Sequence, residues 1–306
     1  MASVVQRASR RARAEARRVI NKPFNFWERL GFHVTPVDYM SPIPDLRHLP
    51  REQFKARSEL VGIDLREDDQ LQLLASLAGE YKHEYERFPR TAPDEDWLFF
   101  VENESFVSTD AEVLYSLIRR LRPQRVVEIG SGYSSLLISR ALTRNATDAE
   151  QTSTYTIIDP YPNPLVRDGL PGLASLRSVP VQEVPLNEFT SLERNDVLFI
   201  DSSHVSRVGS DVNYEFLEIL PRLDPGVVVH VHDIFLPYEY PEQWVFDNRW
   251  FWTEQYLLQA FLTFNDAWDV MWAGSYMHDR RADELSAAFD SHGPTTSPGS
   301  FWMRRR

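Results

Sequence analysis

One run constrains this chain more than any other: Val126-Val127-Glu128-Ile129-Gly130-Ser131-Gly132-Tyr133-Ser134-Ser135, followed by Leu136-Leu137-Ile138. Val126, Val127 and Ile129 are the β-branched residues of a strand covered on both faces. Gly130 and Gly132 permit backbone angles closed to other residues and let a ligand come close to the main chain. Ser134 or Ser135 can cap the helix that follows, whose free N–H groups and positive dipole end attract an anion such as a carboxylate. Strand, glycine turn and helix together predict a nucleotide-like cofactor site; a glycine turn alone serves as often only to reverse the chain.

The details narrow the cofactor. A dinucleotide fingerprint needs a third glycine, and Ser135 stands at that position. Glu128, at the strand end, would repel a pyrophosphate but help to hold an ammonium group. These features favour S-adenosylmethionine over NAD. An NAD-type oxidoreductase remains the alternative, and a cofactor-binding scaffold without turnover is a third reading.

Around this run the pattern repeats. Thr109-Asp110-Ala111-Glu112 has the form of a capping box, with Val113, Leu114, Leu117, Ile118 and Leu121 on the apolar face of its helix and Pro123 ending it. Asn103, Ser105 and Phe106 precede that helix in a segment placed to fold over the glycine loop. After a helix to about Asn145, residues 155–158 form a strand ending in Asp159, placed to accept from both hydroxyls of a ribose; its alternative is to cap a turn before Pro160. A weaker strand is expected over residues 176–181 and a stronger one over 196–200, ending in Asp201-Ser202-Ser203-His204. Residues 211–223 read as a helix, and 227–231 as a strand ending in His232-Asp233. A helix over 251–264 and two late strands, 268–276 and 300–304, complete an α/β, Rossmann-like doubly wound sheet whose ligand crevice lies above the strand ends.

Residues 1–96 read as an N-terminal basic and helical extension with a strap, and 97–306 as the main domain. Arg7, Arg10, Arg11, Arg13, Arg17, Arg18 and Lys22 stand against Glu15 alone in the first 22 residues, a net of +6 that leaves -18 of the chain's -12 for the rest. An acidic body argues against a nucleic-acid groove. Residues 8–20 suggest an Arg/Ala helix, and 24–50, rich in aromatics and proline, an extended strap. Leu71, Leu74, Ala78, Tyr81, Tyr85 and Phe88 recur at helical spacing before Pro89. That aromatic stripe serves as core or as a dimer contact, so a homo-oligomer stays open. The lack of cysteine fits a reducing cytoplasm. No apolar run long enough for a bilayer is present, so no membrane partner is expected.

Asp201, His204, His232 and Asp233 lie at adjacent strand ends and should converge. Asp201 and Asp233 could bind a hard divalent cation such as Mg²⁺ or Mn²⁺, which would lower the pKa of an acceptor hydroxyl. Without metal, His232 or His204 could take the proton directly. The bland reading has His232 and Asp233 merely capping the loop. Beyond them, Pro237, Tyr238, Tyr240, Pro241, Trp244, Trp250 and Trp252 describe an irregular aromatic loop, either a lid or acceptor wall or a loop packed on the sheet edge.

With these residues in view the chain resembles the class I S-adenosylmethionine-dependent methyltransferases, in particular a bacterial branch carrying Glu-Ile-Gly-Ser-Gly-Tyr-Ser-Ser, Ile-Asp-Pro, Phe-Ile-Asp-Ser-Ser-His and His-Asp-Ile-Phe-Leu-Pro-Tyr-Glu-Tyr-Pro. The resemblance covers about residues 97–306. It implies a seven-stranded sheet with an antiparallel last strand, here around Phe301-Trp302-Met303, and transfer of a methyl group to a small-molecule acceptor, an oxygen. By similarity Glu128, Gly130 and Gly132 hold the methionine part and Asp159 the ribose; Ser131 and Asp201 are counted with them as cofactor-binding residues. The positions matching Asp201 and Asp233 carry the metal in catechol-type enzymes, which place Asn directly after the second Asp; here Ile234 stands there.

Overall fold

The computed structural model describes residues 24–92, 98–103, 105–149 and 152–306. It divides into two compact units, Met1–Glu52 and Gln53–Arg306. In the first, described from Phe24 onward, a short helix α1 (Phe24–Arg29) stands where an extended strap was expected, followed by turns. The basic helix expected over residues 8–20 lies outside the described residues.

The second unit holds helices α2 (Glu67–Tyr85) and α3 (Asp110–Leu121), strand β1 (Arg125–Ile129), helix α4 (Tyr133–Ala149), and strands β2 (Thr154–Ile158), β3 (Leu173–Arg177) and β4 (Val197–Ile200). Helix α5 (Asp211–Tyr214) runs into a π-helical turn over Glu215–Ile219. Strand β5 (Val228–Val231), helices α6 (Glu242–Phe246) and α7 (Glu254–Leu262), strand β6 (Trp268–Ala273), helices α8 (Gly274–Arg280) and α9 (Ala282–Ala288), and strand β7 (Phe301–Arg305) follow. The sheet order is β3-β2-β1-β4-β5-β7-β6; β1 to β5 run parallel, and β7 lies antiparallel between β5 and β6. This is the Rossmann-like doubly wound, seven-stranded arrangement that the sequence implied, antiparallel last strand included.

Two apolar layers cover the sheet. On one face Val126, Tyr155, Ile157 and Phe199 pack under α2, α3 and α4. On the other Val127, Ile129, Ile158 and Ile200 meet Val212, Phe216, Leu258 and Leu262. The split follows strand alternation, since neighbouring residues point to opposite faces. Leu74, Leu77 and Tyr85 put α2 in the first layer, within the second unit.

Three local expectations are corrected. β3 lies at Leu173–Arg177, not 176–181; Pro180 has no N–H for the ladder, and Val181–Glu183 form a 3-10 turn instead. The helix over 211–223 widens into a π turn and then tightens into a 3-10 turn at Leu220–Arg222, with Pro221 removing a helical donor. No capping box forms: Thr109 makes no side-chain cap, Asp110 accepts from the N–H groups of Gly299 and Ser300, and the Glu112 carboxylate accepts from Ser291. A long-range partner has taken Glu112, and the buried Thr109 hydroxyl has no partner among the described residues.

Candidate functional site

Parallel register assembles the site. Ile129, Ile200 and Val231 lie side by side at the ends of β1, β4 and β5. The ladder continues one residue further: the N–H of Gly130 donates to Ile158, that of Asp201 to Ile129 and that of His232 to Ile200, each at 2.9 Å. Asp159 donates likewise to Arg177 at 3.0 Å. The residue after each strand is therefore fixed by the sheet itself.

Above these ends lies a cavity of about 540 Å³, within the range of small-molecule sites. Its lining includes Gly130, Ser131, Gly132, Asp159, Val181 and Asp201, with Phe106 from the segment before α3. Asn103 shapes that segment, its amide donating to the carbonyls of Phe100 and Phe106 and its oxygen accepting from the N–H groups of Ser105 and Phe106.

The two glycines differ in purpose. Gly130 has φ +93°, and a Cβ there would lie 1.9 Å from the Asp201 carbonyl oxygen, so it serves the close passage of β1 past β4. Gly130→Ala should cost on the order of 3 kcal/mol, through the clash and the backbone strain, read as a lowered denaturant midpoint. Gly132 has open space on its ligand side; a methyl added there would meet nothing closer than the Asn163 amide at 4.0 Å. Its N–H donates to Ser135 Oγ at 3.1 Å, so Ser135 supplies the capping expected at the start of α4. Ser131 Oγ donates to Asp159 Oδ2 at 2.6 Å, while Asp159 Oδ1 accepts from the Tyr161 N–H at 2.7 Å. Asp159 is thereby oriented, and it keeps lone pairs for a ligand.

Glu128 departs from its expected place. It is fully buried, on the opposite sheet face from Ile129, and does not line the cavity. Its carboxylate accepts from Ser134 Oγ at 2.6 Å and from the Tyr155 hydroxyl. Strand alternation turns it under α4 rather than toward an ammonium group. Burial raises its pKa to about 7, against the lowering effect of the two hydroxyls. A carboxyl whose folded pKa lies above its unfolded value contributes stability that is complete below the unfolded pKa and is lost as pH rises through the folded one. Wild type should therefore lose stability relative to Glu128→Gln between about pH 5 and pH 8; parallel melting profiles for the two proteins would contradict this.

The second cluster sits beside the cavity. His204 Nε2 lies 3.2 Å from Asp201 Oδ1 and 3.6 Å from Asp233 Oδ2, and His204 Nδ1 is 2.8 Å from Glu254 Oε2. One donor atom from each of Asp201, His204 and Asp233 falls within 4.8 Å of the others. Two carboxylates and an imidazole are donors suited to Mg²⁺ or Mn²⁺, with Mn²⁺ the more tolerant of nitrogen. His204 and Asp233 both adopt left-handed backbone angles, φ +59° and +56°, a conformation that turns each side chain back over the strand ends. His232 Nε2 lies 3.7 Å from Asp233 Oδ1, and its ring stands 4.9 Å from that of Phe106.

Charge sets the protonation of this cluster. Burial pushes His204 down, but Asp201, Glu254 and Asp233 outweigh it and hold it well above its ordinary value. Burial likewise lowers His232, and the charges of Asp233, Asp201 and Asp110 more than reverse the effect. Burial raises Asp201, yet His232 and His204 bring it below the usual carboxylate range. Facing bare carboxylates both histidines favour the protonated state; a divalent cation on Asp201 and Asp233 would cancel that charge and displace the proton from His204 Nε2.

All the strand-end residues singled out in the sequence meet here except Glu128. Sequence reasoning missed Glu254, which lies 50 residues from His204 and carries no local signal; Trp252, named there as part of the aromatic loop, has its ring 4.3 Å from that of His204.

Residues 127–234 match the family model of a methyltransferase domain. That span runs from β1 through Asp233 and so contains the glycine loop, Asp159, Asp201 and His204. The chain is also 34% identical over 169 residues to an uncharacterized protein of Archaeoglobus fulgidus, an alignment covering 52% of this chain and 74% of the other. The chain belongs to the same family as that archaeal protein. It carries a methyltransferase domain. Among solved structures, the O-methyltransferase TomG from Streptomyces achromogenes, in complex with SAM, is 15% identical, with 76% of this chain and 88% of that one covered and a TM-score of 0.40. An O-methyltransferase from Bacillus cereus in complex with SAH is also 15% identical, covering 78% and 91% at a TM-score of 0.41. No helix among the described residues is long and apolar enough to cross a membrane.

Proposed function

We propose that the protein transfers a methyl group from S-adenosylmethionine to an oxygen of a small-molecule acceptor. The observation that carries this reading is the cavity over β1, β2 and β4, where the glycine loop opens into α4 and Asp159 projects from the end of β2. The first N–H groups of α4, at Tyr133 and Ser134, suit the amino-acid carboxylate of the cofactor. Asp159, braced by Ser131 and Tyr161, suits the two ribose hydroxyls. Ile129, Ile158 and Val181 offer apolar surface for a base. When bound, the cofactor supplies a methyl group on a positively charged sulfur, open to in-line attack.

A divalent cation held by Asp201, Asp233 and His204 would favour the deprotonated acceptor hydroxyl. Trp250 and Trp252 stack at 5.0 Å with 7° between their planes, and Trp252 contacts His204. This flat apolar wall ends at the cation cluster and suits an acceptor with one flat, partly apolar face.

The test is turnover of methyl-labelled S-adenosylmethionine against a panel of hydroxylated aromatic compounds with Mg²⁺. Label in an O-methylated product, with S-adenosylhomocysteine released, is expected. Cofactor binding without turnover on any acceptor would favour the scaffold reading, and preference for NADH the oxidoreductase.

A further inference from the structure

Glu254, the first residue of α7, is fully buried, and its carboxylate has one hydrogen-bond partner, Oε2 accepting from His204 Nδ1 at 2.8 Å. The other oxygen, Oε1, has no partner among the described residues. Burying a carboxylate so thinly bonded is costly, and an apolar side chain of similar size would fill the space at less expense. A packing role therefore explains it poorly. The backbone ties the same two residues together, since the His204 carbonyl accepts from the N–H groups of Thr253 at 2.9 Å and Glu254 at 3.2 Å. Trp252 lies against the imidazole face, its ring tilted by 36°. The ring is thus held by an edge contact, a face contact and its own main chain.

We propose that Glu254 is a positioning residue that holds the proton of His204 on Nδ1, so that Nε2 presents its lone pair toward Asp201 and Asp233 as the third ligand of a divalent cation. A neutral imidazole has one donor and one acceptor nitrogen, and an acceptor fixed at Nδ1 decides which is which. The inference rests on the cation reading of the site above.

The experiment measures Mn²⁺ affinity of the full chain by electron paramagnetic resonance for wild type, Glu254→Gln, Glu254→Leu and Asp201→Ala. Circular dichroism and the thermal unfolding midpoint serve as the check of folding. Wild type should bind Mn²⁺ and Asp201→Ala should lose it. Glu254→Leu, which fills the same volume, should bind about 10- to 100-fold more weakly. Glu254→Gln should recover most of the affinity, because an amide oxygen accepts from the same Nδ1–H. Mn²⁺ binding by Glu254→Leu equal to wild type overturns the inference and leaves the cation reading standing, as does equal weakening in both Glu254 variants. A folded wild type that takes up no Mn²⁺ overturns both. The ¹⁵N spectrum of Mg²⁺-loaded wild type gives a check free of mutation: a protonated Nδ1 on His204 supports the inference, and a protonated Nε2 overturns it.

Discussion

Replacing Asp159 by alanine should weaken S-adenosylhomocysteine binding about 100- to 1,000-fold. Hydrogen bonds to a charged acceptor contribute about 1.5–3 kcal/mol each, and a ribose diol offers two, while every 1.4 kcal/mol is a factor of about ten. The side chain is well placed for this, since Ser131 and the Tyr161 N–H hold each of its oxygens in a fixed direction at the cavity wall. Because both partners come from the loops around the cavity rather than from the core, the fold should survive and the loss should appear in the binding enthalpy. Calorimetric titration of the variant measures it. Affinity within a few-fold of wild type would remove Asp159 from the cofactor site.

Asp233→Asn should separate binding from chemistry. Asp233 lies in the cation cluster but not in the cavity lining, so affinity for S-adenosylhomocysteine should stay near that of wild type. Methyl transfer should fall about 1,000-fold, since a bound cation contributes several kcal/mol at the transition state and each 1.36 kcal/mol is tenfold in rate. Turnover of labelled cofactor at saturating Mg²⁺ measures the drop. Unchanged turnover would assign Asp233 to loop geometry alone, in line with its left-handed backbone and the Ile234 N–H bonded to the Gly299 carbonyl at 2.8 Å.

What could be read from the sequence is what the backbone decides. Parallel strands ending in step place Gly130, Asp159, Asp201 and His232 by ladder continuity, so the succession of strand ends already gave their neighbourhood. Side-chain direction was harder. Glu128 stands one residue from the loop, yet alternation sends it to the face beneath α4, where Ser134 and Tyr155 receive it. Thr109 and Glu112 have capping spacing, but Ser291, almost 180 residues away, claims the glutamate. Glu254 was invisible for the same reason, since a lone acid after Thr253 looks like any helix start until the fold brings it against His204. Long-range partners decide such residues, and no local period reports them.

The most direct test of the central claim is calorimetric titration of S-adenosylhomocysteine into the wild-type protein, set beside NADH. The expected result is binding near micromolar, about -8 kcal/mol, with no comparable heat from NADH. No binding of S-adenosylhomocysteine by the folded protein, or a clear preference for NADH, would contradict the methyltransferase reading and leave the glycine loop as a turn between β1 and α4.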